Sequence, residues 1–398
     1  MANTILTPTM ITREALRILH NKLTFIGTIN RQYDNRFAVA GAKIGDTLQV
    51  RLPNQFTIRS GATLSAQDVT ETKVDLVLGT QKGVDINFSS AELTLSLDDF
   101  SERILEPAMA VLAANVEADA FNMYKEVYNL VGTAGTVPNT LKTYLQARQK
   151  LNENLCPKDN LRAVCINSEA AVEIVDALKG LFHSSSAIEE QYREGMMGRT
   201  AGFDWYENEL VPVHTNGSMG GTPLVNGASQ TGSSLVTDGW TAGNTITKGT
   251  VFTIAGVYMV HPETKVSTGK LQQFVVTADV TVDGSGNATL SISPSITTSG
   301  AYQTVSGSPA DNAAITVVGS ASTSYAQNMA YHRDAFAFVS ADLVMPKGVD
   351  FAAREVYDGI SLRIVRQYDI NNDKFPCRID VFYGYKAVRA QLACRITA

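Results

Sequence analysis

The sequence is poor in charge. Of its 398 residues, 18% are Asp, Glu, Lys or Arg, against roughly 25% in an average soluble protein, while apolar residues stand at an ordinary 44%. That pairing excludes a disordered chain held in solution by its charge. Positive charge is the scarcer sign: 33 Lys and Arg face 39 Asp and Glu, a formal net charge of -6, which argues against a protein whose task is to grip phosphates. Long hydrophobic runs are missing too. The longest candidates, such as Ala108 to Ala114, fall well short of the roughly 20 residues that span a bilayer. Met1 to Pro8 has no basic segment ahead of an apolar block and no small-residue cleavage site, so the chain is expected to be made and kept in a cytoplasm. The three Asn-x-Ser/Thr matches, at Asn87, Asn216 and Asn287, carry no meaning without secretion.

Signatures of chemistry are equally scarce. Cys156, Cys165, Cys377 and Cys394 form no CxxC pair, and His20, His183, His214, His261 and His332 are scattered without metal-ligand spacing, so the thiols read as small hydrophobes. No G-x-S-x-G, G-x-x-x-x-G-K-[ST] or H-E-x-x-H occurs, which removes the common hydrolase and nucleotide-binding signatures. Asp369 to Asp373 imitates the start of a calcium loop, but the sixth position is Lys374, where a glycine is needed. Asp283, Ser285 and Asn287 have ligand spacing with Pro294 at the twelfth position; both stretches read as polar turns. His183 before Ser184, Ser185 and Ser186 reads as a helix cap, not as a nucleophile and base. Tyr and Phe are numerous, at 14 and 15, but the interleaved basic stripe of a single-strand nucleic-acid site is missing. Tyr368, Phe375, Phe382, Tyr383 and Tyr385 then read as core and interface residues. No catalytic, cofactor or metal residue is nominated, and the chain is expected not to be an enzyme.

What is present is pattern. Thr12 is placed to cap a short helix carrying Ala15, Leu16, Ile18, Leu19 and Leu23, whose single apolar stripe must dock on something. Between 38 and 90 the period changes to two, with Leu48, Val50 and Leu52, then Leu76 and Leu78, then Val84, Ile86 and Phe88; this predicts a long two-stranded excursion. Its middle, Ser60 to Thr72, has few apolar anchors, and an isolated hairpin of this length is marginal without a partner surface. From Asp98 to about Leu130 a broad apolar face predicts a helix of roughly 30 residues, about 45 Å long, bent at Pro107. A second helix is expected from Thr140 to about Leu155, a short apolar strand from Leu161 to Ile166, and a helix capped by Ser168 and ending at Gly180.

The charge deficit has an address. Residues 215–330 hold 3 Lys and Arg and 5 Asp and Glu in 116 positions, with 49 Gly, Ser and Thr, whereas the rest of the chain has near-normal charge. Thr250 to Val260 reads as a strand, and Phe274 to Val282 alternates toward the turn Asp283-Gly284-Ser285-Gly286 and the strand beginning at Ala288, a hairpin by period and turn chemistry. The segment therefore reads as an inserted small all-β domain with floppy flanks at about 215–245 and 296–325. Strands at Ala335 to Met345, Ile360 to Tyr368 and Pro376 to Val388 return to a main α+β body.

Three stretches together resemble the major coat protein family of short-tailed bacteriophages of the phage P22 type, which has the HK97-type capsid fold. They are Tyr192-Arg193-Glu194-Gly195 followed by Ala201-Gly202-Phe203-Asp204 and Leu210-Val211-Pro212-Val213; Lys248-Gly249-Thr250-Val251-Phe252-Thr253-Ile254-Ala255-Gly256-Val257; and Cys377-Arg378-Ile379 with Phe382-Tyr383-Gly384. The resemblance implies an N-terminal arm (1–40), an extended two-stranded loop (41–90), a long spine helix with a peripheral domain (91–160), a first axial part (161–214), the inserted β domain (215–330), and returning axial and peripheral strands (331–398). It implies self-assembly into an icosahedral shell of hexamers and pentamers around a scaffolding protein, with a portal protein at one vertex and double-stranded DNA packaged inside without sequence specificity. No membrane is involved, and the virion would be assembled in the bacterial cytoplasm. The covalent Lys–Asn cross-link of some relatives has no matching residues here. The rival reading is a phage host-binding or decoration protein that uses the β segment as its recognition module; closed shells or capsomers seen by electron microscopy would decide between the two.

Overall fold

Alternating and helical apolar patterns leave several faces that must be buried, and the chain buries them in two units. In the computed structural model, which describes residues 8–33, 47–64, 66–69, 71–88, 104–178, 198–371 and 374–398, the first unit gathers residues 1–50, 73–121 and 336–388, and the second 51–72, 122–335 and 389–398.

The first unit is built on a mixed sheet ordered Asn30–Tyr33, Phe336–Ala341, Phe375–Ala387, Ile360–Arg366 and Phe351–Tyr357, with Thr80–Phe88 pairing along the long strand Phe375–Ala387. The helix Pro8–Lys22 packs on strand Phe351–Tyr357 and on the helix Glu106–Phe121. It starts four residues earlier than the expected cap, and Thr12 is buried inside it. The predicted apolar stripe is the docked face: Ala15, Leu16, Ile18, Leu19 and Leu23 are all buried. Phe25 stacks on Phe121 with ring centroids 4.3 Å apart and meets Phe336 edge-on at 5.7 Å. The Phe25 N–H donates to the buried Glu117 carboxylate, so a charge on an apolar helix face is used as a backbone acceptor. Asp119, two residues farther along the same helix, accepts from Tyr383 Oη at 2.7 Å and pairs with Lys82 at 2.8 Å.

Two expectations for this part are corrected. The two-stranded excursion is a short ladder, Thr47–Arg51 against Lys73–Val77, because the third alternating run, Val84 to Phe88, finds its partner in the long strand Phe375–Ala387, with Ile86 opposite Cys377 and Val84 opposite Ile379. Helix Glu106–Phe121 continues as a tighter 3-10 turn over Asn122–Glu126. The winding ends at Glu126, short of the expected Leu130, which is a strand residue. Pro107 sits in the first turn of Glu106–Phe121 directly after a π-type turn at Ile104 and Leu105, so the winding changes at the expected proline. The expected beginning of this helix at Asp98 lies outside the described residues.

The second unit centres on a sheet ordered Leu130–Val131, Ala393–Thr397, Ser324–His332, Arg162–Ile166, Phe203–Glu207 and Arg199–Thr200, with Val213–Thr215 pairing the start of Ser324–His332. Arg162–Ile166 and Ala393–Thr397 are buried along their whole length. The helix Leu141–Glu153 begins where expected, with extended Thr140 as its N-cap residue. Helix Ser168–Leu178 is capped one residue earlier than expected: Asn167 Oδ1 accepts the Ala170 N–H at 3.1 Å, while Ser168 Oγ donates to Glu207. The expected stop at Gly180 lies outside the described residues.

Between Val213–Thr215 and Ser324–His332 the chain leaves this sheet and builds another, ordered Gly221–Val225, Gly232–Trp240, Ala288–Ile296, Ser267–Val276, Val251–Val260 and Ile315–Val317. The two edges meet: Leu224 bridges Ala314, and Val225 exchanges backbone hydrogen bonds with Ala313 and Asn312 at 3.0 and 2.9 Å. Closure turns the sheet into a small barrel and removes its open edges. Its interior is filled by buried side chains from its own strands, among them Leu235, Trp240, Phe252, Ile254, Phe274 and Leu290. The expected floppy flanks are not floppy, since 221–225, 232–240 and 315–317 are barrel strands. The expected hairpin is also modified. Val275 and Val276 pair with Ser293 and Ile292, but the chain then bends, and Val280–Thr281 pairs with Thr245–Ile246.

Candidate assembly arm and the polar neck of the barrel

Past the Thr47–Arg51 ladder the chain runs on as an extended loop. Leu52 N–H donates to Thr72 O at 2.9 Å, and Arg51 pairs with Glu71 at 3.2 Å. Farther out the two limbs are clipped by one side chain: Gln67 Oε1 accepts from the Thr57 N–H at 2.9 Å, and Gln67 Nε2 donates to Thr57 O at 2.5 Å. At the tip Arg59 donates to the carbonyls of Gly61 and Thr63. The arm's shape is thus held by polar contacts, while its apolar side chains are left outside. Ile58 is 95% exposed, Leu64 81%, Val69 61% and Phe56 57%. Scattered exposed apolar residues are normal, but several on one slender loop mark a docking element.

At the base of the barrel the crossing strands are fastened by polar side chains. Arg395, almost wholly buried, donates from Nη2 to Gly249 O at 2.8 Å, with its guanidinium 5.7 Å from the Tyr124 ring centre. Tyr124 Oη lies 3.1 Å from His214 Nδ1. Asn216 Nδ2 donates to the carbonyls of Val318 and Ser320 at 3.0 and 3.1 Å, which clips the outgoing and returning strands together. Gln273 holds both backbone groups of Leu130, accepting at 3.1 Å and donating at 2.8 Å. A small apolar cluster of Tyr128, Leu130, Val251 and Val275 fills the remaining space. Gly249, at φ +99°, permits this approach: a Cβ there would lie 3.0 Å from His214 Cε1.

Burial dominates the electrostatics of this neck. His214 is pushed down to about 4, first by burial and then by the charges of Arg395 and Lys125, with Asn216 opposing. Burial raises the Tyr124 phenol to about 12 and lowers Arg395 to about 10. At neutral pH the cluster holds one buried cation, a neutral imidazole and a neutral phenol.

The candidates that the sequence set aside resolve as structure. Asp283 Oδ1 accepts the N–H groups of Ser285 and Asn287, both at 2.8 Å, and so closes a turn. Asp369 bridges Lys374 across the turn between two strands; Asn372 and Asp373 lie outside the described residues, as do His183, Ser184, Ser185 and Ser186. All four cysteines are buried and none is in a disulfide. Among the described residues no group of three or more His, Cys, Asp or Glu could hold a metal ion, and no helix is long and apolar enough to cross a membrane. Of the motif stretches, Ala201 to Asp204 forms the turn into Phe203–Glu207, Lys248 to Val257 runs from the neck into the barrel, and Cys377 to Gly384 lies in the long strand of the first unit. Tyr192 to Gly195 lie outside the described residues. The neck itself went unread: His214, Tyr124 and Arg395 are 90 to 271 positions apart in the chain, on two strands and a 3-10 turn that only the tertiary fold brings together.

Comparison with known proteins completes the picture. A family model described as P22 coat protein, gene protein 5, matches residues 40–394. No curated protein sequence matches. Among solved structures the chain is similar to one from Mycobacterium phage Che8, at 13% identity over 94% of this chain and 90% of that chain with a TM-score of 0.46. It is similar to the mature capsid of bacteriophage PhiM1, at 10% identity over 94% and 86% with a TM-score of 0.43. The CUS-3 coat protein I-domain is 30% identical over 25% of this chain and 98% of that chain, with a TM-score of 0.20. With one family model spanning residues 40–394, the chain belongs to the P22 coat protein family and is the major capsid protein of a tailed phage, a structural protein that self-assembles into a shell.

Proposed function

We propose that the shell is an icosahedral lattice of hexamers and pentamers, assembled in the host cytoplasm around a scaffolding protein, with a portal at one vertex and double-stranded DNA packaged without sequence specificity. The net charge of -6 supports a container that does not hold its DNA tightly. In this reading the chain divides into an N-terminal arm (1–40), extended loop (41–90), spine helix and peripheral part (91–160), axial part (161–214), inserted β domain (215–330) and returning strands (331–398). The β domain is an autonomous insertion, an idea supported by its self-contained core.

The observation that carries the assembly role is the arm of residues 53–71, whose apolar side chains Phe56, Ile58, Leu64 and Val69 are exposed along a polar-clipped loop. The arm docks these side chains on a neighbouring copy, and many such modest contacts, repeated around a closed shell, supply the stability. Ile58→Asp tests this. Ile58 touches little in its own chain, so the folded subunit should keep its urea midpoint, within about 0.5 kcal/mol, while regular shells disappear from negative-stain images of protein co-expressed with its scaffold. Normal shells from Ile58→Asp and Leu64→Asp would end the docking role.

A further inference from the structure

The neck of the barrel has more hydrogen-bonding capacity than its protein partners use. Gln327 Oε1 and Arg395 Nε are buried and make no hydrogen bond within the protein, and His214 Nε2 has no well-aligned one, Asn216 being the side chain beside it, whereas buried polar groups are paired in roughly nine cases in ten. The three residues come from three different strands, Val213–Thr215, Ser324–His332 and Ala393–Thr397. All three line one cavity. It measures about 10 Å³, room for a single water molecule.

The chemistry of the three atoms chooses the occupant. Tyr124 Oη lies 3.1 Å from His214 Nδ1, the one acceptor within reach of its proton; assigning the hydroxyl as the donor places the proton of the neutral ring on Nε2. Arg395 Nε–H is a second donor. Gln327 Nε2 donates to Thr397 Oγ1 at 3.1 Å and to Tyr325 O at 3.3 Å, which leaves Oε1 as an acceptor. Two donors and one acceptor complement water, which accepts twice and donates twice. A halide would suit the buried Arg395 cation, but it has no proton for Gln327, and turning that amide over would set its oxygen against the Tyr325 carbonyl. Asn216, beside His214, already gives its amide hydrogens to Val318 and Ser320.

We propose that the neck cavity binds one water molecule, held by His214 Nε2–H, Arg395 Nε–H and Gln327 Oε1, and that this water ties the three strands on which the barrel stands. The test is a structure of the full chain at about 2 Å resolution, from crystals in chloride and again in bromide. The expected result is one density peak about 2.7–3.2 Å from all three atoms, without anomalous signal in bromide and lost in Gln327→Met. A wild-type structure with no peak there, a peak that gains bromide anomalous signal, or a peak that persists in Gln327→Met would overturn the assignment.

Discussion

Acid should weaken the second unit through His214. The ring is held neutral in the folded protein, with its titration pushed from the ordinary 6.5 down to about 4 by burial, by Arg395 and by Lys125; the Tyr124 hydroxyl faces its other side. In the unfolded chain the same ring takes a proton below pH 6.5. Stability from this residue is therefore complete above pH 6.5 and is lost as the pH falls from there to about 4. At 1.36 kcal/mol per pH unit the loss is about 2 kcal/mol by pH 5 and about 3 kcal/mol by pH 4. Both tryptophans, Trp205 and Trp240, lie in this unit, so their fluorescence follows its urea unfolding. The comparison is between wild type and His214→Gln at pH 7, 6, 5 and 4.5. Carboxylates titrate in both proteins and cancel in the difference. The variant should start less stable at pH 7 and lose less on acidification, with the gap closing by about 2 kcal/mol at pH 5. Parallel losses in the two proteins would refute the reasoning and mean that the neck admits a charged imidazole.

Gly384→Ala should destabilise the first unit by about 1–3 kcal/mol, because a Cβ there would lie 2.3 Å from the Val77 carbonyl oxygen; an unchanged urea midpoint would show that strand Lys73–Val77 is free to shift. Phe274→Ala, at a fully buried ring 5.7 Å from Phe252, should cost about 3–5 kcal/mol, read as a lower midpoint of the Trp240 signal. Residues 212–330 expressed alone should give a cooperative melt, since the barrel carries its own core; a fragment without a transition would make the barrel dependent on the rest of the chain.

Much of the fold was legible because burial imposes a period. The stripe Ala15, Leu16, Ile18 and Leu19 is the docked face of its helix, and the apolar run Ala163 to Ile166 lies in a strand covered on both faces. Misreadings came where local pattern is silent about partners. Val84, Ile86 and Phe88 alternate equally well for a hairpin mate or for the strand almost 300 residues later that they actually join. Gly, Ser and Thr at 215–245 resemble a flexible flank, but tight barrel strands need small residues as well. Gly239 is an example, at φ +73° with the Thr222 carbonyl 2.4 Å from where a Cβ would stand. The final strand, Ala393–Thr397, was not anticipated, because Arg395 and Thr397 interrupt its apolar run although all five residues are buried.

By itself the sequence determined the chemical character of this protein. It lacks nucleophile and phosphate-loop signatures, it is acidic overall, and its charge deficit lies in one β-rich segment; these follow from residue identities and their spacing, which need no coordinates. Tertiary structure decided which patterns meet. It closed the low-charge strands into a barrel, left Ile58 and Leu64 exposed on a clipped arm, and brought His214, Gln327 and Arg395 to one cavity. The reason is that a hydrophobic period specifies that a face must be buried but not against what. Partners far apart in the chain are chosen only when the whole set of faces is satisfied at once.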